Sequence, residues 1–210
     1  MKAKITHEAP TLTHIEWELQ DVTPHMINWF WCNMEKGDNL WHPNEHHDFS
    51  WMEGYSVKDK NGFLGSIHIA PQTWGDGKDL NIYIRAERFG DVPDKLRAFI
   101  KYDHAIIAAG ISMDGVDVDP AGPSLAWRLH QWQKSDGGVV GMSTGLTAEG
   151  YDVDSGPVWA AHNVEEIGNW EVFLPTLYRL FKVITRPDIS PYQDFLLKGS
   201  GIDAQYATLT

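Results

Sequence analysis

The clearest chemical signal in the sequence is a histidine and a glutamate four residues apart, His162 and Glu166. On a helix, positions i and i+4 lie on one face, so both side chains could bind one metal ion. The same spacing also fits an ion pair on a solvated helix surface. A second pair with this spacing, His14 and Glu18, falls in a segment that we predict to be a strand, so we do not interpret it as a metal site.

A second group of imidazoles lies between residues 40 and 47. Three histidines occur within six residues, namely His42, His46 and His47. Imidazole is a good ligand for zinc and related metals, although loop histidines also bond to backbone groups without binding metal. A catalytic zinc site needs about three or four protein ligands and an open position for water. His46, His162 and Glu166 supply three, and we expect the fourth from the intervening strands.

The elements that must position these residues follow from hydrophobic periodicity and from turn and cap signals. Thr23 and Pro24 predict a helix start, with the helix running to about Met34 and a loop over 38–50. Apolar residues at helical spacing predict a long final helix from about Ala160 to Ile184. Strands are predicted at 12–19, 51–57, 63–70, 80–87, 104–113, 125–132 and 138–146, with a short helix at 94–100 and a kink at Pro175.

Many antiparallel strands followed by one long amphipathic helix predict an α+β fold. In this fold, a curved antiparallel sheet grips the C-terminal helix and leaves a cavity between them. The chain has 210 residues with 42% hydrophobic content, enough for one sizeable core. We therefore interpret residues 1–210 as a single domain.

Composition restricts the partners. The net charge of −12 argues against nucleic acid and against an anionic membrane surface. The single cysteine, Cys32, excludes an intrachain disulfide and fits a reducing cytoplasm. The first ten residues are polar, and no apolar stretch reaches the length of a membrane span. We therefore expect a cytoplasmic protein whose partner is a small molecule, with a homodimer as a further possibility.

Two segments resemble the 2,4-diacetylphloroglucinol hydrolase and phloretin hydrolase family. The segment 162–178 is similar to the family's C-terminal helix motif, which has a histidine, two residues, two acids, an asparagine and then an aromatic-Leu-Pro turn. The segment 40–46 resembles the family's Leu-Trp-His-Pro-x-acid-His sequence, and 65–68 resembles the Gly-Ser-x-His strand that follows it. The resemblance spans most of the chain from about Trp29 to Tyr178.

The resemblance implies a helix-grip fold of the Bet v 1 type and a mononuclear zinc site of two histidines and two glutamates. His42 would support the site, although it could exchange roles with His46. The family's other glutamate aligns with Gln72, which is a neutral and weaker ligand, and Glu87 is the fallback one strand later. The implied metal ligands are His46, Gln72, His162 and Glu166.

The resemblance also implies an activity, which is hydrolysis of the carbon–carbon bond between an acyl group and a phenolic ring. An aromatic ketone is then the substrate and a carboxylic acid is released. Two other functions fit the same cavity, namely a non-catalytic binder of aromatic or hydrophobic molecules and a polyketide cyclase-like lyase. Candidate substrate-binding residues are Asp38 (at a family tyrosine position), Trp41 and His42, and candidate catalytic residues are His104, His130 and Glu165.

Overall fold

The computed structural model describes residues 1–9, 11–183 and 195–208. Its main element is an eight-stranded sheet in which neighbouring strands are antiparallel. The strands are β1 (Lys2–Ala9), β2 (Leu12–Gln20), β3 (Ser50–Trp51), β4 (Ile67–Thr73), β5 (Asp79–Ala86), β6 (His104–Ser112), β7 (Ala126–Ser135) and β8 (Gly138–Thr147). The helices are α1 (Pro24–Trp31), α2 (Asp38–Trp41), α3 (Asp94–Arg97) and α4 (Pro157–Val183), and β9 (Phe195–Lys198) pairs with β10 (Gln205–Thr208).

The strand order is β1-β2-β8-β7-β6-β5-β4-β3. Strands β4 to β8 follow one another as neighbours, and the β1–β2 hairpin joins beside β8, so the last strand before α4 lies well inside the sheet. Helix α4 packs against the inner face of this sheet, with Trp17 of β2 edge-on to Trp170 at 6.2 Å between ring centroids. This arrangement confirms the predicted α+β helix-grip fold.

Glycines in β8 let large indole rings approach the sheet. A side chain at Gly145 would lie 2.6 Å from the ring of Trp159, and one at Gly141 would lie 2.3 Å from Trp17. Both distances are shorter than any normal contact, so the two tryptophans occupy space that only glycine leaves open. The packing of α4 on the sheet therefore depends on small residues in β8 as much as on apolar residues in the helix.

Several predicted boundaries are correct. Helix α1 begins where Thr23 accepts a hydrogen bond from the backbone N–H of Met26 at 3.3 Å, with Pro24 in the first turn. Helix α4 continues past Pro175 to Val183, whereas the predicted end at Ile184 lies outside the described residues. The predicted strands at 12–19, 80–87, 104–113, 125–132 and 138–146 match β2, β5, β6, β7 and β8.

Other local predictions are wrong. The strand predicted at 51–57 is reduced to Ser50–Trp51, because the chain turns at Gly54, whose φ angle is positive. The loop predicted at 38–50 begins instead with helix α2. Strand β1 was not predicted, because almost all of its residues are exposed and its sequence has no burial pattern to read. Among the described residues, no helix combines the length and apolarity that crossing a bilayer requires.

Candidate metal centre and cavity

A cavity lies between the sheet and α4, and its empty space, including the part open to solvent, amounts to about 670 Å³. Alternate residues of β4, β5, β6 and β7 face it, as the two-residue period of a strand requires. Ala126, Arg128 and His130 do so from β7, for example. Helix α4 contributes Trp159, His162 and Glu166, and further apolar walls come from Trp31, Met34, Trp41, Trp74, Ile82 and Ile84. The mostly apolar lining with a few polar side chains is typical of a small-molecule site.

His46, His162 and Glu166 converge beside this cavity, which His162 and Glu166 line. His46 Nε2 lies 3.4 Å from His162 Nε2 and 3.5 Å from Glu166 Oε1. The third side of the triangle, from His162 Nε2 to Glu166 Oε1, measures 3.2 Å. All three side chains are buried, and each offers one potential metal-ligand atom to a common point. We refer to these three residues as the triad.

The triad has the dimensions of a zinc site. In a tetrahedral site with bonds of about 2.0–2.1 Å, neighbouring ligand atoms are about 3.3–3.4 Å apart. The three sides of the triad, 3.2, 3.4 and 3.5 Å, lie close to that value. Two imidazoles and one carboxylate are also a donor set that suits zinc. The residues therefore fit a zinc ion with three protein ligands and one open position.

Hydrogen bonds fix the orientation of both imidazoles. His46 Nδ1 donates to the backbone carbonyl of Asp38 at 3.1 Å, and the Asp38 carboxylate also lies 3.1 Å from this nitrogen. His162 Nδ1 donates to Glu45 Oε2 at 2.6 Å. Because each Nδ1 carries the donated proton, the Nε2 atoms of the two rings are the ones that face each other and Glu166. Partners of this kind orient and strengthen metal-ligating histidines.

The surrounding charges favour a cation in the triad. Burial by itself raises the pKa of Glu166, but His162, His46 and His130 outweigh it and lower that pKa to about 2. Burial lowers the pKa of His162, but the carboxylates of Glu166 and Glu45 outweigh it and raise the pKa above its ordinary value. The site thus keeps Glu166 ionised and attracts positive charge, as either a proton or a metal ion.

The loop that carries His46 is held by the sheet and by α4. His46 forms an isolated antiparallel bridge with Gln72, the backbone N–H of Thr73 donates to the Glu45 carbonyl at 3.0 Å, and Asn169 Nδ2 of α4 donates to the Trp41 carbonyl at 2.9 Å. The Trp41 ring stacks on Trp170. The asparagine of the helix motif therefore acts by fixing α2 and the following loop.

A second cluster of possible ligands, His42, Glu45 and His162, surrounds the opposite nitrogen of His162. Its Glu45–His162 distance of 2.6 Å is a direct hydrogen bond and is too short for two ligands of one tetrahedral ion. His42 stacks on His162 at 4.5 Å, and burial together with His162 lowers the pKa of His42. His42 is not among the cavity-lining residues, so it supports the triad from behind and does not contact the cavity.

The two candidates for a fourth ligand occupy different places. Gln72 lines the cavity, where its Oε1 accepts a hydrogen bond from Trp74 Nε1 at 2.7 Å. Glu87 is bound by Arg85 at 2.6 Å and by Ser124 at 2.8 Å, and it does not line the cavity. Because even-numbered residues of β5 face the cavity, an odd-numbered residue just past its end points to the other side of the sheet. The prediction of Glu87 as the alternative fourth ligand is therefore wrong, whereas Gln72 as the fourth ligand stays a prediction.

Some of the predicted substrate-binding and catalytic residues line the cavity, and others do not. Asp38, Trp41 and His130 line the cavity, and burial lowers the pKa of His130 to about 4. His104 does not line the cavity, because it lies at the start of β6, stacked on Trp132. Glu165 is also outside the cavity, with its side chain 41% exposed and bonded to Asn44. The structure thus brings His130 to the site but not His104 or Glu165.

Sequence reasoning missed two polar residues of the cavity, His68 and Arg128. His68 stacks on Phe49, and burial lowers its pKa to about 3. Both could have been found from strand parity, since Arg128 alternates with His130 and His68 alternates with Gln72. At neutral pH, the cavity therefore presents two neutral imidazoles and one guanidinium beside the triad.

Comparisons with known proteins support the fold alone. No protein-family model matches the chain, and no curated protein matches it. The structure is similar to protein Ms6760 from Mycobacterium smegmatis, with 13% identity over 82% of this chain and 97% of that one and a TM-score of 0.55. A protein from Rhodobacter sphaeroides has 11% identity over 83% and 99%, with a TM-score of 0.51. Ara h 8.0201 has 12% identity over 80% and 98%, with a TM-score of 0.45.

Proposed function

We propose that this protein is a metal-dependent hydrolase that cleaves the carbon–carbon bond between an acyl group and a phenolic ring. The observation that carries the proposal is the triad of His46, His162 and Glu166, whose ligand atoms are spaced as in a zinc site. Two of its residues, His162 and Glu166, line a mostly apolar cavity. The resemblance of the segments 40–46 and 162–178 to the acylphloroglucinol hydrolases supports the same activity.

In this proposal, the residues around the triad hold the metal and orient its ligands. When bound, zinc supplies a Lewis acid and a water molecule that loses its proton near neutral pH. Asp38 and Glu45 hold the imidazoles of His46 and His162 in the ligating orientation. Three protein ligands leave the fourth position open, which a catalytic site requires. The activity therefore does not depend on Gln72 being a ligand.

The cavity suits a phenolic ketone. Hydrolysis adds the hydroxyl of water to the acyl carbon and its remaining proton to the ring carbon, and the bond between those carbons breaks. A hydroxyl ortho to the ketone helps, because its keto tautomer already carries the proton on the ring carbon. His130 bonds through Nδ1 to Ser143 at 3.0 Å, which leaves Nε2 for a phenol oxygen. The tryptophans that line the cavity offer apolar faces against which an aromatic ring can pack.

A second candidate is a non-catalytic binder of aromatic or hydrophobic small molecules. It is favoured by the mostly apolar lining of the cavity and by the neutral Gln72 at the position where the resemblance implies a fourth, acidic ligand. Helix-grip folds also serve unrelated functions, so the fold does not distinguish the two candidates. A polyketide cyclase-like lyase is a third outcome that the same assay detects.

The test combines metal analysis with product analysis. We expect purified protein to hold about one zinc per chain and to release acetic acid from monoacetylphloroglucinol. His162→Ala should lose both the metal and the acid release. His47→Ala is the matched control, because His47 lies in the same loop but bonds to Thr73 at an exposed position. Zinc-free protein that stays inactive after zinc addition contradicts the proposal, and tight binding without acid release indicates the binder.

A further inference from the structure

Arg128 is a cationic side chain in the cavity wall that the proposed reaction does not use. Its Nη1 donates to the backbone carbonyl of Trp127 at 3.1 Å and to Ser155 Oγ at 2.9 Å. Its Nη2 donates to the backbone carbonyl of Asp154 at 2.6 Å. The guanidinium also lies 4.7 Å from the centroid of the Trp159 ring. These contacts hold the group rigidly against the start of α4.

The contacts leave donor capacity unused. A guanidinium has five N–H groups, and the three hydrogen bonds occupy both on Nη1 and one on Nη2. Within the described part of the chain, Nε–H and the second Nη2–H have no partner, and no carboxylate forms an ion pair with Arg128. The nearby Asp154 carboxylate instead accepts from the backbone N–H groups of Gly156 and Trp159. The negative charges of Asp154 and Glu166 therefore act on Arg128 without a direct hydrogen bond, and its two remaining N–H groups stay available to a ligand.

The hydrogen-bond network behind Arg128 has a fixed direction. Thr147 Oγ1 donates to the Val153 carbonyl at 2.6 Å, so the 2.5 Å contact between Thr147 and Ser155 is donated by Ser155. The Ser155 hydroxyl is then free to accept from Arg128. This chain of donors orients the guanidinium without supplying any negative charge, which is the arrangement expected of a preorganised anion site.

Arg128 and two residues of the triad, His162 and Glu166, face one cavity. Arg128 and His130 project from the same face of β7, and both line the cavity together with Glu166. The negative charge of Glu166 influences both side chains. A single small molecule in this cavity can therefore contact both Arg128 and the cavity-facing residues of the triad. Burial lowers the pKa of Arg128 to about 10, which still leaves the group charged at neutral pH.

We propose that Arg128 binds a carboxylate carried on the ring of the aromatic ketone and directs the ketone carbonyl towards the triad. A planar carboxylate matches the donor geometry of a guanidinium better than a phenol or a neutral carbonyl does. The inference rests on the proposed function only in taking this cavity as the substrate site. It narrows the substrate class to aromatic ketones that bear an acidic group.

The experiment compares two probes of nearly the same shape, the anionic 4-acetylbenzoate and the neutral 4-acetylbenzamide, by calorimetric titration at pH 7. It uses wild-type protein with zinc and after chelation, so that the result does not depend on hydrolysis or on the metal. We expect wild-type protein to prefer the carboxylate by at least about tenfold in both states, as a charge-assisted pair requires. The preference should fall below about twofold in Arg128→Gln, because the glutamine side chain carries no charge.

Two further variants keep the test decisive. Arg88→Gln removes one positive charge from an exposed position outside the cavity and should keep the preference. Arg128→Lys keeps the charge but loses the fork, so it should give an intermediate preference even if Arg128→Gln does not fold. Equal affinity of the probes for wild-type protein, or no binding of either, overturns the proposal. A preference that survives both Arg128 variants, or that disappears when zinc is removed by chelation, also overturns it.

Discussion

Glu45 offers the sharpest test of whether the triad is a metal site, because it orients a triad histidine without belonging to the triad. Its Oε2 accepts a 2.6 Å hydrogen bond from His162 Nδ1, and its side chain is only 17% exposed. Glu45→Gln keeps an acceptor of similar shape but removes the charge. Loss of such a partner weakens metal binding by about 10- to 100-fold, and we expect about tenfold because the glutamine can still accept.

The expected loss of zinc affinity also predicts a smaller stabilisation of the folded protein by zinc. A tenfold change in the dissociation constant corresponds to about 1.4 kcal/mol. At zinc concentrations well above both dissociation constants, the stabilisation by zinc differs between the two proteins by the same amount. For a chain of this length, about 1.4 kcal/mol corresponds to about 3–6 °C in melting temperature. The zinc-dependent rise in melting temperature should therefore be smaller by that amount in Glu45→Gln.

The assay is competition with a chromophoric zinc chelator, together with calorimetric melting with and without zinc. Glu165→Gln is the matched control, because it makes the same chemical change one residue before Glu166 on a side chain that is 41% exposed and bonded to Asn44. We expect this control to bind zinc as the wild type does. Unchanged zinc affinity in Glu45→Gln, or an equal loss in both variants, would refute the reasoning.

Two further predictions concern positions away from the triad. Burial lowers the pKa of His104 to about 4, so the unfolded chain binds a proton between about pH 6.5 and 4 that the folded chain does not, and stability is lost as pH falls through that window. His104→Phe should remove about 1–2 kcal/mol of this loss after allowance for solvent screening. Urea unfolding at pH 7.5 and at pH 4.5 measures the difference in the free energy of unfolding between the two pH values. The same difference in the variant and in the wild type would contradict the prediction. Gly145→Ala, whose new side chain meets Trp159 at 2.6 Å, should lower the free energy of unfolding by about 1–3 kcal/mol, whereas Gly90→Ala, with open space around it, should not.

The sequence alone determined the features that depend on neighbouring residues. Thr23 and Pro24 fix the start of α1, because capping needs only the residues of the first turn. Spacing on one helix places His162 and Glu166 on the same face. Alternation along β7 places Arg128 and His130 on one face of the sheet. These relations are local, so they hold before any packing is known.

Only the tertiary structure decided which of these faces meet. His46 and His162 are 116 residues apart, and no periodicity links positions that distant. Gln72 and Glu87, like His130 and His104, are similar residue types on plausible strands, and their register and place along the sheet separate them. The reason is physical: local periodicity determines the direction in which a side chain points, whereas the packing of segments remote in sequence determines which residues it contacts.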